Sequence, residues 1–277
     1  MTIKEWAYET RTLLIENHLT DSPDLDARLL LEFVTEHDQV KQIINADKVL
    51  SDEELTELNR LRQQRLEGRP IAYIMGLKQF FGRYFKVDER VLIPRPDTEI
   101  LVEAVLKAHE RGLVSIEDPI IDVCTGSGAV GITLARELKR DVILSDISSD
   151  ALDVAKENSA RLLRRELETI QCDLLPKGRE YGIIVSNPPY LTDEWVEAVD
   201  RSVQYEPTLA LRGGGRDGLD LIRKLVFQSV GHGSLFVECD YRQAKAVAEI
   251  FEEHFFHQVT IERDLAGLER VVWGVSW

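Results

Sequence analysis

The stretch 186-SNPPYL-191 combines groups that could hold a planar amino group. Proline cannot donate a hydrogen bond within a sheet, so we expect the preceding aliphatic strand to end here. The Asn187 side chain and the Pro188 backbone each offer a carbonyl acceptor, and Pro189 restricts the backbone that holds them. Tyr190 adds a flat aromatic face. The stretch therefore predicts Asn187, Pro188 and Tyr190 as catalytic residues, and these three together with Pro189 as substrate-binding residues.

Such a site suits an NH₂ group on an sp² carbon. The nitrogen of an amide or aromatic amine is a poor nucleophile because its lone pair is delocalised. Two acceptors that bind its hydrogens raise the electron density on the nitrogen and stabilise the positive charge that develops there. An activated donor, the sulfonium of S-adenosylmethionine, then leaves the protein mainly to position the reactants. We predict methyl transfer with S-adenosylhomocysteine as the product and with no metal.

A glycine-rich stretch, 122-DVCTGSGAVGI-132, follows the first apolar strand of this region and opens a helix. Gly126, Gly128 and Gly131 satisfy the GxGxxG pattern, and Asp146 ends the next strand 18 residues after Gly128. This context predicts a nucleotide-containing cofactor with Asp146 on its ribose hydroxyls. The pattern alone fits a nicotinamide oxidoreductase as well as an S-adenosylmethionine enzyme. SNPPY favours the S-adenosylmethionine enzyme, because a nicotinamide oxidoreductase does not need this motif.

A further acid lies in 172-CDLL-175, after the third strand. The carboxyl ends of parallel strands line one crevice, so the glycine loop, Asp146, Asp173 and Asn187 should converge there. We expect Asp173 or its neighbouring amide to meet the adenine amine, and Leu174 to pack on the adenine ring.

The elements that must position these residues alternate between strand and helix from about residue 119. Helical spacing marks 129–139 and 150–165. Apolar runs predict strands over 119–124, 141–147, 169–173, 181–187, 233–239, 258–263 and 269–277. The alternation predicts an α/β fold with a doubly wound, mostly parallel sheet.

Three domains are expected. Residues 1–75 are predicted to form a helical bundle, residues 76–96 a linking β-hairpin with its turn around Asp88, and residues 97–277 the catalytic domain.

Two helices of the bundle have recognisable starts. Ser22 is the expected N-cap of the first, with Pro23 at its first position. Leu25, Leu29 and Phe33 are expected to form its apolar stripe. The second runs over 51-SDEELTELNRLRQQRLEG-68, where Ser51 and Glu54 predict a capping box.

Composition narrows the class of protein. The chain has 277 residues, with 34 basic and 49 acidic side chains and a formal charge of −15, which disfavours direct binding of nucleic acid. The three cysteines are scattered, so a cysteine zinc site is not expected and a reducing compartment is. No run is long and apolar enough for a membrane span, and the first residues do not resemble a signal peptide. We predict a cytoplasmic protein without membrane contact.

Together with SNPPY and the glycine loop, four further stretches carry a resemblance: 68-GRPIAYIMG-76, 92-LIPRPDTEILVE-103, 205-YEPTLALRGGGRDGLD-220 and 264-DLAGLERVVWG-274. Over nearly its whole length the chain resembles the bacterial N(5)-glutamine methyltransferases of peptide chain release factors (HemK/PrmC family). The resemblance implies a Rossmann-like, seven-stranded S-adenosylmethionine-dependent methyltransferase sheet whose last strand is antiparallel. It also implies methylation of the glutamine in the Gly-Gly-Gln motif of class 1 release factors.

The resemblance assigns roles to individual residues. The glutamine carboxamide would lie against Tyr190, with its NH₂ between Asn187 and Pro188. The residues it implies for cofactor binding are Cys124, Thr125, Gly126, Ser127, Gly128, Asp146, Leu174 and Asn187. Cys124 stands where glycine is common, and Leu174 where an aromatic residue can occur. We expect the N-terminal bundle to dock the release factor and the enzyme to be a monomer.

Several alternatives stay open at this point. A DNA or RNA amino-methyltransferase would use the same NH₂ chemistry, and an adaptor for a release factor or the ribosome could keep a cofactor pocket without turnover. Arg95 to Glu99 could form a turn near the cofactor or brace the domains. Glu206 could pair with a basic group of the partner or brace the site, and Gly213 to Gly215 could move near the substrate or only lead into a helix.

Overall fold

The computed structural model describes residues 1–276. Trp277, the last residue of the predicted strand 269–277, lies outside the described residues. The chain divides into two units. The first contains Met1–Leu77 and Asp200–Tyr205, and the second contains Lys78–Val199 and the chain from Glu206 onward.

The first unit is helical, as the sequence predicts. Its helices are α1 (Ile3–Glu16), α2 (Pro23–Thr35), α3 (Gln39–Ile44), α4 (Asp52–Leu66) and α5 (Ile71–Met75). Its core contains the buried side chains of Trp6, Leu30, Leu31, Leu58 and Leu61. The predicted capping box of α4 is present: the Glu54 backbone N–H donates to Ser51 Oγ, and the Ser51 backbone N–H donates to the Glu54 carboxylate.

Helix α2 departs from the sequence prediction in two ways. It begins at Pro23 as expected, but the Ser22 side chain makes no capping hydrogen bond. The predicted apolar stripe is wrong, because Leu25 and Phe33 are each 44% exposed. The face of α2 that holds Leu30 and Leu31 packs inward instead.

A buried ion pair explains this error. Asp26 lies on the inward face of α2 and accepts a 2.7 Å hydrogen bond from Arg65 Nε of α4. Both side chains are about 5% exposed. Apolar spacing alone does not identify the inward face of α2, because that face includes an acid that is buried as part of an ion pair.

The predicted hairpin is present as β1 (Leu77–Phe80) and β2 (Arg83–Lys86). Its turn lies at Phe81 and Gly82, not around Asp88. Both turn residues have positive φ, +48° and +71°, which suits the tight connection of a two-residue hairpin. The Asp88 carboxylate instead accepts from the Arg90 backbone N–H at 3.1 Å, a local turn within an extended segment.

The second unit contains the seven-stranded sheet. Its strands are β3 (Ile120–Val123), β4 (Val142–Asp146), β5 (Thr169–Gln171), β6 (Ile183–Ser186), β7 (Ser234–Glu238), β8 (His257–Arg263) and β9 (Glu269–Val275). Their order is β5-β4-β3-β6-β7-β9-β8. Strand β9 runs antiparallel to both of its neighbours, and the other pairings are parallel. The α/β class and the antiparallel last strand are therefore confirmed.

Helices cover both faces of this sheet. They are α6 (Glu99–Glu110), α7 (Ala129–Glu137), α8 (Ser149–Leu163), α9 (Asp193–Glu197), α10 (Asp220–Gln228) and α11 (Ala244–Glu253). Alternate residues of β6 enter different cores: Ile183 and Val185 pack in one apolar cluster and Ile184 in the other. This double burial explains why the central parallel strands read as continuous apolar runs.

Strand register brings the polar residues to one edge. Val123 of β3 pairs with Ser145 of β4 and with Ser186 of β6, and Ser186 pairs with Val237 of β7. Because the order reverses around β3, this edge is the switch point where doubly wound sheets bind ligands. Within residues 1–276, no helix has both the length and the apolar character needed to cross a membrane.

Candidate active site

Three glycines follow β3, Gly126 and Gly128 in the loop and Gly131 within α7, and they have different roles. Gly126 has a φ of +54°, and a Cβ atom there would meet no atom within 4 Å, so the residue borders open space. A Cβ on Gly131 would come within 2.4 Å of Leu144, and one on Gly128 within 2.6 Å of Ile132. Gly126 therefore leaves room for a ligand, whereas Gly128 and Gly131 permit close packing of α7.

Asp122, in β3, stabilises this loop through hydrogen bonds. It was not among the functional residues predicted from the sequence. Its Oδ2 accepts from Thr125 Oγ1 at 2.6 Å and from the Gly131 backbone N–H at 2.8 Å. Burial raises the pKa of Asp122 to about 7, and these two hydrogen bonds oppose the rise. The available signal was an acid inside an otherwise apolar strand.

Asp146 is fixed at the end of β4 by backbone groups. Its Oδ2 accepts from the Gly126 N–H at 2.9 Å and its Oδ1 from the Ser148 N–H at 3.0 Å. Burial raises the pKa of Asp146, and the backbone hydrogen bonds counter that effect. Each oxygen keeps capacity for another donor, so the carboxylate can bind two neighbouring hydroxyl groups.

A cleft opens beside Asp146, with walls that are mostly apolar and a few polar groups, as ligand sites usually have. It is lined by Arg90, Val91, Leu92, Cys124, Gly126, Asp146, Ile147, Ser148, Ala151, Cys172, Asp173, Leu174, Asn187, Pro189, Pro207, Leu209, Ala210 and Leu221. A smaller adjoining cavity shares Leu92, Cys124, Gly126 and Asn187 and adds Pro94, Thr98, Asp122, Thr125, Ser127, Ala129 and Val130.

Most of the predicted cofactor residues border this space. Cys124 has a φ of +58°, a conformation that favours glycine. Burial raises the pKa of its thiol, as expected for an unreactive cysteine. Asp173 is exposed and pairs with Lys224, while Leu174 is buried with a φ of +66°. Gly128 lines neither cavity.

Asn187 lines both cavities, and its amide has a defined orientation. Its Nδ2 donates to Thr98 Oγ1 at 3.1 Å. No donor among residues 1–276 reaches its Oδ1, so this carbonyl oxygen is available to a ligand.

The other residues of the motif divide between cleft and core. Pro189 lines the cleft, while Pro188 and Tyr190 line neither cavity. Pro188 is buried, and the Tyr190 hydroxyl donates to Glu238 Oε1 at 3.4 Å.

Glu206 braces the loop between the hairpin and α6. Its carboxylate accepts from the Ile93 backbone N–H at 2.9 Å and pairs with Arg95 Nη2 at 2.5 Å. The Glu206 side chain is 1% exposed, and burial raises its pKa. Two roles were expected for Glu206, pairing with a basic group of the partner or bracing the site. These contacts support the second. Arg95 leads into a turn of 3₁₀ helix, Pro96–Thr98, whose Thr98 reaches the site.

Thr98 and Glu238 complete the site. Thr98 lies within Arg95 to Glu99, for which a turn near the cofactor was one of two expectations, whereas Glu238 was not predicted from the sequence as a functional residue. For Glu238 a signal existed, because it is an acid at the end of an apolar strand. Among residues 1–276, no cluster of three or more His, Cys, Asp or Glu side chains could hold a metal ion.

Two family models match the chain. The PrmC N-terminal domain matches residues 6–76, and the methyltransferase small domain matches residues 96–216.

Solved structures show the same fold at low sequence identity. The hMettl16 catalytic domain in complex with a MAT2A 3'UTR hairpin is 13% identical, with a TM-score of 0.56 and 91% of each chain covered. A T. Thermophilus 16S rRNA methyltransferase in complex with AdoMet and guanosine is 16% identical, with a TM-score of 0.51, covering 73% of this chain and 50% of the other. These likenesses concern the fold alone.

Curated relatives match at higher identity. The release factor glutamine methyltransferase of Neisseria gonorrhoeae is 38% identical over 99% of this chain and 97% of the relative. The release factor glutamine methyltransferase of Lactococcus lactis subsp. lactis is 39% identical over 94% of this chain and 98% of the relative. The chain therefore belongs to the release factor glutamine methyltransferase family.

Proposed function

We propose that this chain transfers a methyl group from S-adenosylmethionine to the side-chain amide nitrogen of the glutamine in the Gly-Gly-Gln motif of class 1 peptide chain release factors. One observation carries the proposal: in a chain of this family, Asn187 lines the cleft at the switch point, and its carbonyl oxygen accepts no hydrogen bond from any donor within residues 1–276. That oxygen can accept a hydrogen bond from a substrate NH₂ group.

The cleft fits the cofactor. When bound, S-adenosylmethionine supplies an electrophilic methyl group on a sulfonium, and it leaves as S-adenosylhomocysteine. Asp146 would bind the ribose hydroxyls, and the residues around Gly126 would pass close to the amino-acid end. Asp173 and Leu174 border the part of the cleft that we assign to adenine.

The substrate amide would be held by two carbonyl groups. In this arrangement the NH₂ hydrogens bond to Asn187 Oδ1 and the Pro188 backbone oxygen, and Tyr190 supports the carboxamide plane. The two acceptors orient the nitrogen toward the methyl group and stabilise the positive charge that forms on it. No strong base is needed before transfer, since the proton can leave afterwards.

We assign release-factor docking to the first unit, which includes the whole of the predicted domain 1–75. Its surface carries large exposed apolar side chains, among them Tyr8, Val40, Ile43 and Ile44, which are 63–75% exposed. Exposed apolar groups of this kind mark interaction surfaces when they lie together.

Replacement of Ile43 and Ile44 by serine should raise the KM for the release factor without changing kcat or cofactor affinity. Leu265→Ser is the matched control, since Leu265 is fully exposed in the second unit. Equal effects of the two changes on KM would show that the first unit does not dock the release factor.

The proposed setting is the cytoplasm, with a monomeric enzyme and no nucleic acid in direct contact. The formal charge of −15 favours a protein substrate over a polyanion. The three cysteines are free in the structure, which suits a reducing compartment.

The decisive assay mixes the protein and S-adenosylmethionine with a class 1 release factor, with its Gln→Ala variant in the Gly-Gly-Gln loop, and with DNA and RNA. Mass spectrometry of peptides and nucleosides then locates the methyl group. We expect methyl only on the loop glutamine. Methylated nucleic acid would support the NH₂ chemistry but show that the substrate is a nucleic acid. Bound cofactor without any methylation would indicate that the chain is an adaptor and not an enzyme.

A further inference from the structure

A buried carboxamide lies where three backbone segments meet. Gln243, immediately before α11, is 5% exposed. Its Nε2 donates to the Tyr190 backbone oxygen at 2.8 Å and to the Asp217 backbone oxygen at 2.7 Å. Its Oε1 accepts from the Asp240 backbone N–H at 3.3 Å. Both hydrogens of the amide and its oxygen are thus bound to backbone groups, which makes this side chain a rigid connection between the three segments.

The turn after β7 anchors the Gln243 side chain at its own end. The Gln243 backbone N–H donates to the Asp240 backbone oxygen at 2.8 Å. The Asp240 carboxylate accepts from the Arg242 backbone N–H at 3.0 Å and also pairs with the Arg242 guanidinium. Because main-chain and side-chain hydrogen bonds both close this turn, the position of the Gln243 carboxamide does not depend on its contact with Tyr190.

The SNPPY motif has few groups by which it can be held. Pro188 and Pro189 have no N–H, so the backbone across them can be fixed only through carbonyl groups. Before the prolines, the Asn187 side chain is held by a hydrogen bond. After them, the Tyr190 backbone oxygen is held by Gln243. The Pro188 carbonyl, the second proposed acceptor for the substrate NH₂, lies between these two points.

Two glycines bring a further loop to the same place. The Gly213 backbone N–H donates to the Leu191 backbone oxygen at 3.0 Å. A Cβ on Gly213 would lie 2.7 Å from the Tyr190 Cα, and a Cβ on Gly218 would lie 3.0 Å from Gln243 Nε2. The loop that contains these glycines therefore packs directly against the backbone of the motif, and Gln243 is bonded to both.

We propose that Gln243 is a positioning residue for methyl transfer: by holding the Tyr190 backbone oxygen, it keeps the Pro188 carbonyl and the Tyr190 ring in place for the substrate amide. Gln243 lines neither cavity of the site, so it acts through the motif and not by contact with a ligand. In its catalytic consequence this inference rests on the proposed function. The hydrogen bond to Tyr190, however, can be measured without turnover.

Gln243→Glu is the informative variant. It keeps the size of the side chain and the acceptor for Asp240, but an ionised carboxylate has no donor and would face two carbonyl oxygens. Gln243→Met is a second variant that removes the donors without adding charge. Gln228→Glu is the matched control: Gln228 Oε1 accepts from the Leu175 backbone N–H at 3.1 Å, and Gln228 lines neither cavity of the site.

The first readout is a single NMR signal. Tyr190–Leu191 is the only Tyr-Leu pair in the sequence, so protein labelled with ¹³C-carbonyl tyrosine and ¹⁵N-leucine gives one correlation across a Tyr-Leu peptide bond. We expect its ¹³C signal to move upfield in both Gln243 variants, because the carbonyl loses a donor, and to stay in place in Gln228→Glu. An unchanged signal in both Gln243 variants would overturn the proposal, whatever the substrate proves to be.

The second readout is kinetic. With a release factor as substrate, both Gln243 variants should lower kcat about tenfold by misplacing the Pro188 carbonyl, with cofactor affinity unchanged, and Gln228→Glu should match the wild type. Because kcat is expressed per bound cofactor, a loss of stability alone would not change it. A wild-type kcat in both Gln243 variants would overturn the positioning role. Inactive wild-type enzyme would contradict the proposed function, and the NMR signal would still decide whether Gln243 holds the motif.

Discussion

The proposed cofactor side and the proposed substrate side of the site are held together in different ways. Asp146 is fixed by the backbone N–H groups of Gly126 and Ser148, which belong to the same strand–loop–helix segments. Asn187 is fixed by the side chain of Thr98, 89 residues away, and Tyr190 contacts Glu238, 48 residues away. Backbone donors survive substitution, whereas side-chain partners do not. The substrate side should therefore be the more sensitive to single changes.

The largest expected effect is a loss of rate on the substrate side. Asn187→Ala removes the proposed acceptor for the substrate NH₂ and should reduce the rate of methyl transfer by about 10²–10³, the range found for loss of one positioned polar group. Cofactor affinity should change much less. Single-turnover kinetics and calorimetry with S-adenosylmethionine measure the two quantities, and nearly full activity would show that Asn187 does not hold the reacting nitrogen.

Changes on the proposed cofactor side should have the opposite effect: they should lower cofactor affinity more than the rate of methyl transfer. Asp146→Ala should weaken S-adenosylmethionine binding by about 10–100-fold, because hydrogen bonds to a charged group are lost. The rate at saturating cofactor should stay close to that of the wild type. Asp153→Ala, an exposed acid on α8, serves as the control in the same calorimetric titration. Unchanged affinity in Asp146→Ala would mean that the ribose lies elsewhere.

A glycine pair tests the backbone behind the motif. Gly218 and Gly112 have φ of +76° and +69°, so alanine strains the backbone similarly at both. A Cβ on Gly218 would lie 2.3 Å from the Tyr190 backbone oxygen, whereas one on Gly112 meets nothing within 4 Å. Gly218→Ala should therefore lower kcat about tenfold by moving Tyr190, while Gly112→Ala leaves kcat unchanged. Equal kcat values in the two variants would contradict this role of the loop.

The smallest effect concerns stability and its pH dependence. The pKa of Glu238 is raised from 4.5 to about 7, so protonation of this group stabilises the folded state. That contribution is complete below about pH 4.5 and is lost as pH rises through about 7. Glu238→Gln does not titrate, so its Tm relative to wild type should increase from pH 5 to pH 8.

Neighbouring groups affect this titration. Arg270 and the hydroxyls of Thr98 and Tyr190 lower the pKa of Glu238, and Asp97 raises it. Asp122 titrates in the same direction but is present in both proteins, so it cancels in the comparison. Thermal unfolding at several pH values measures the difference, and a constant difference in Tm would show that Glu238 stays in one protonation state.

The same contrast explains how much of the molecule could be predicted. The glycine loop, Asp146 and SNPPY are contiguous motifs or follow strand ends, so their convergence follows from sheet topology. The parallel sheet and the helical first unit also follow from apolar periodicity. These predictions depend on local spacing, which the sequence displays directly.

What the sequence does not display is pairing between distant residues. Thr98 and Glu238 become part of the site only through the order and register of β6 and β7 and the packing of the turn before α6. The inward face of α2 was misassigned for a similar reason, because Asp26 is buried only with Arg65 as its partner. The hairpin turn at Phe81 was missed because a bulky residue adopts a left-handed conformation there.

The central claim is that two carbonyl groups hold both hydrogens of the substrate NH₂. The most direct measurement is prolonged incubation of a release factor with excess enzyme and S-adenosylmethionine, followed by mass spectrometry of the loop peptide. A glutamine that already carries one methyl has a single N–H, so it cannot satisfy both acceptors. We predict that the reaction stops at one methyl group. A second methyl on the same glutamine would contradict the account.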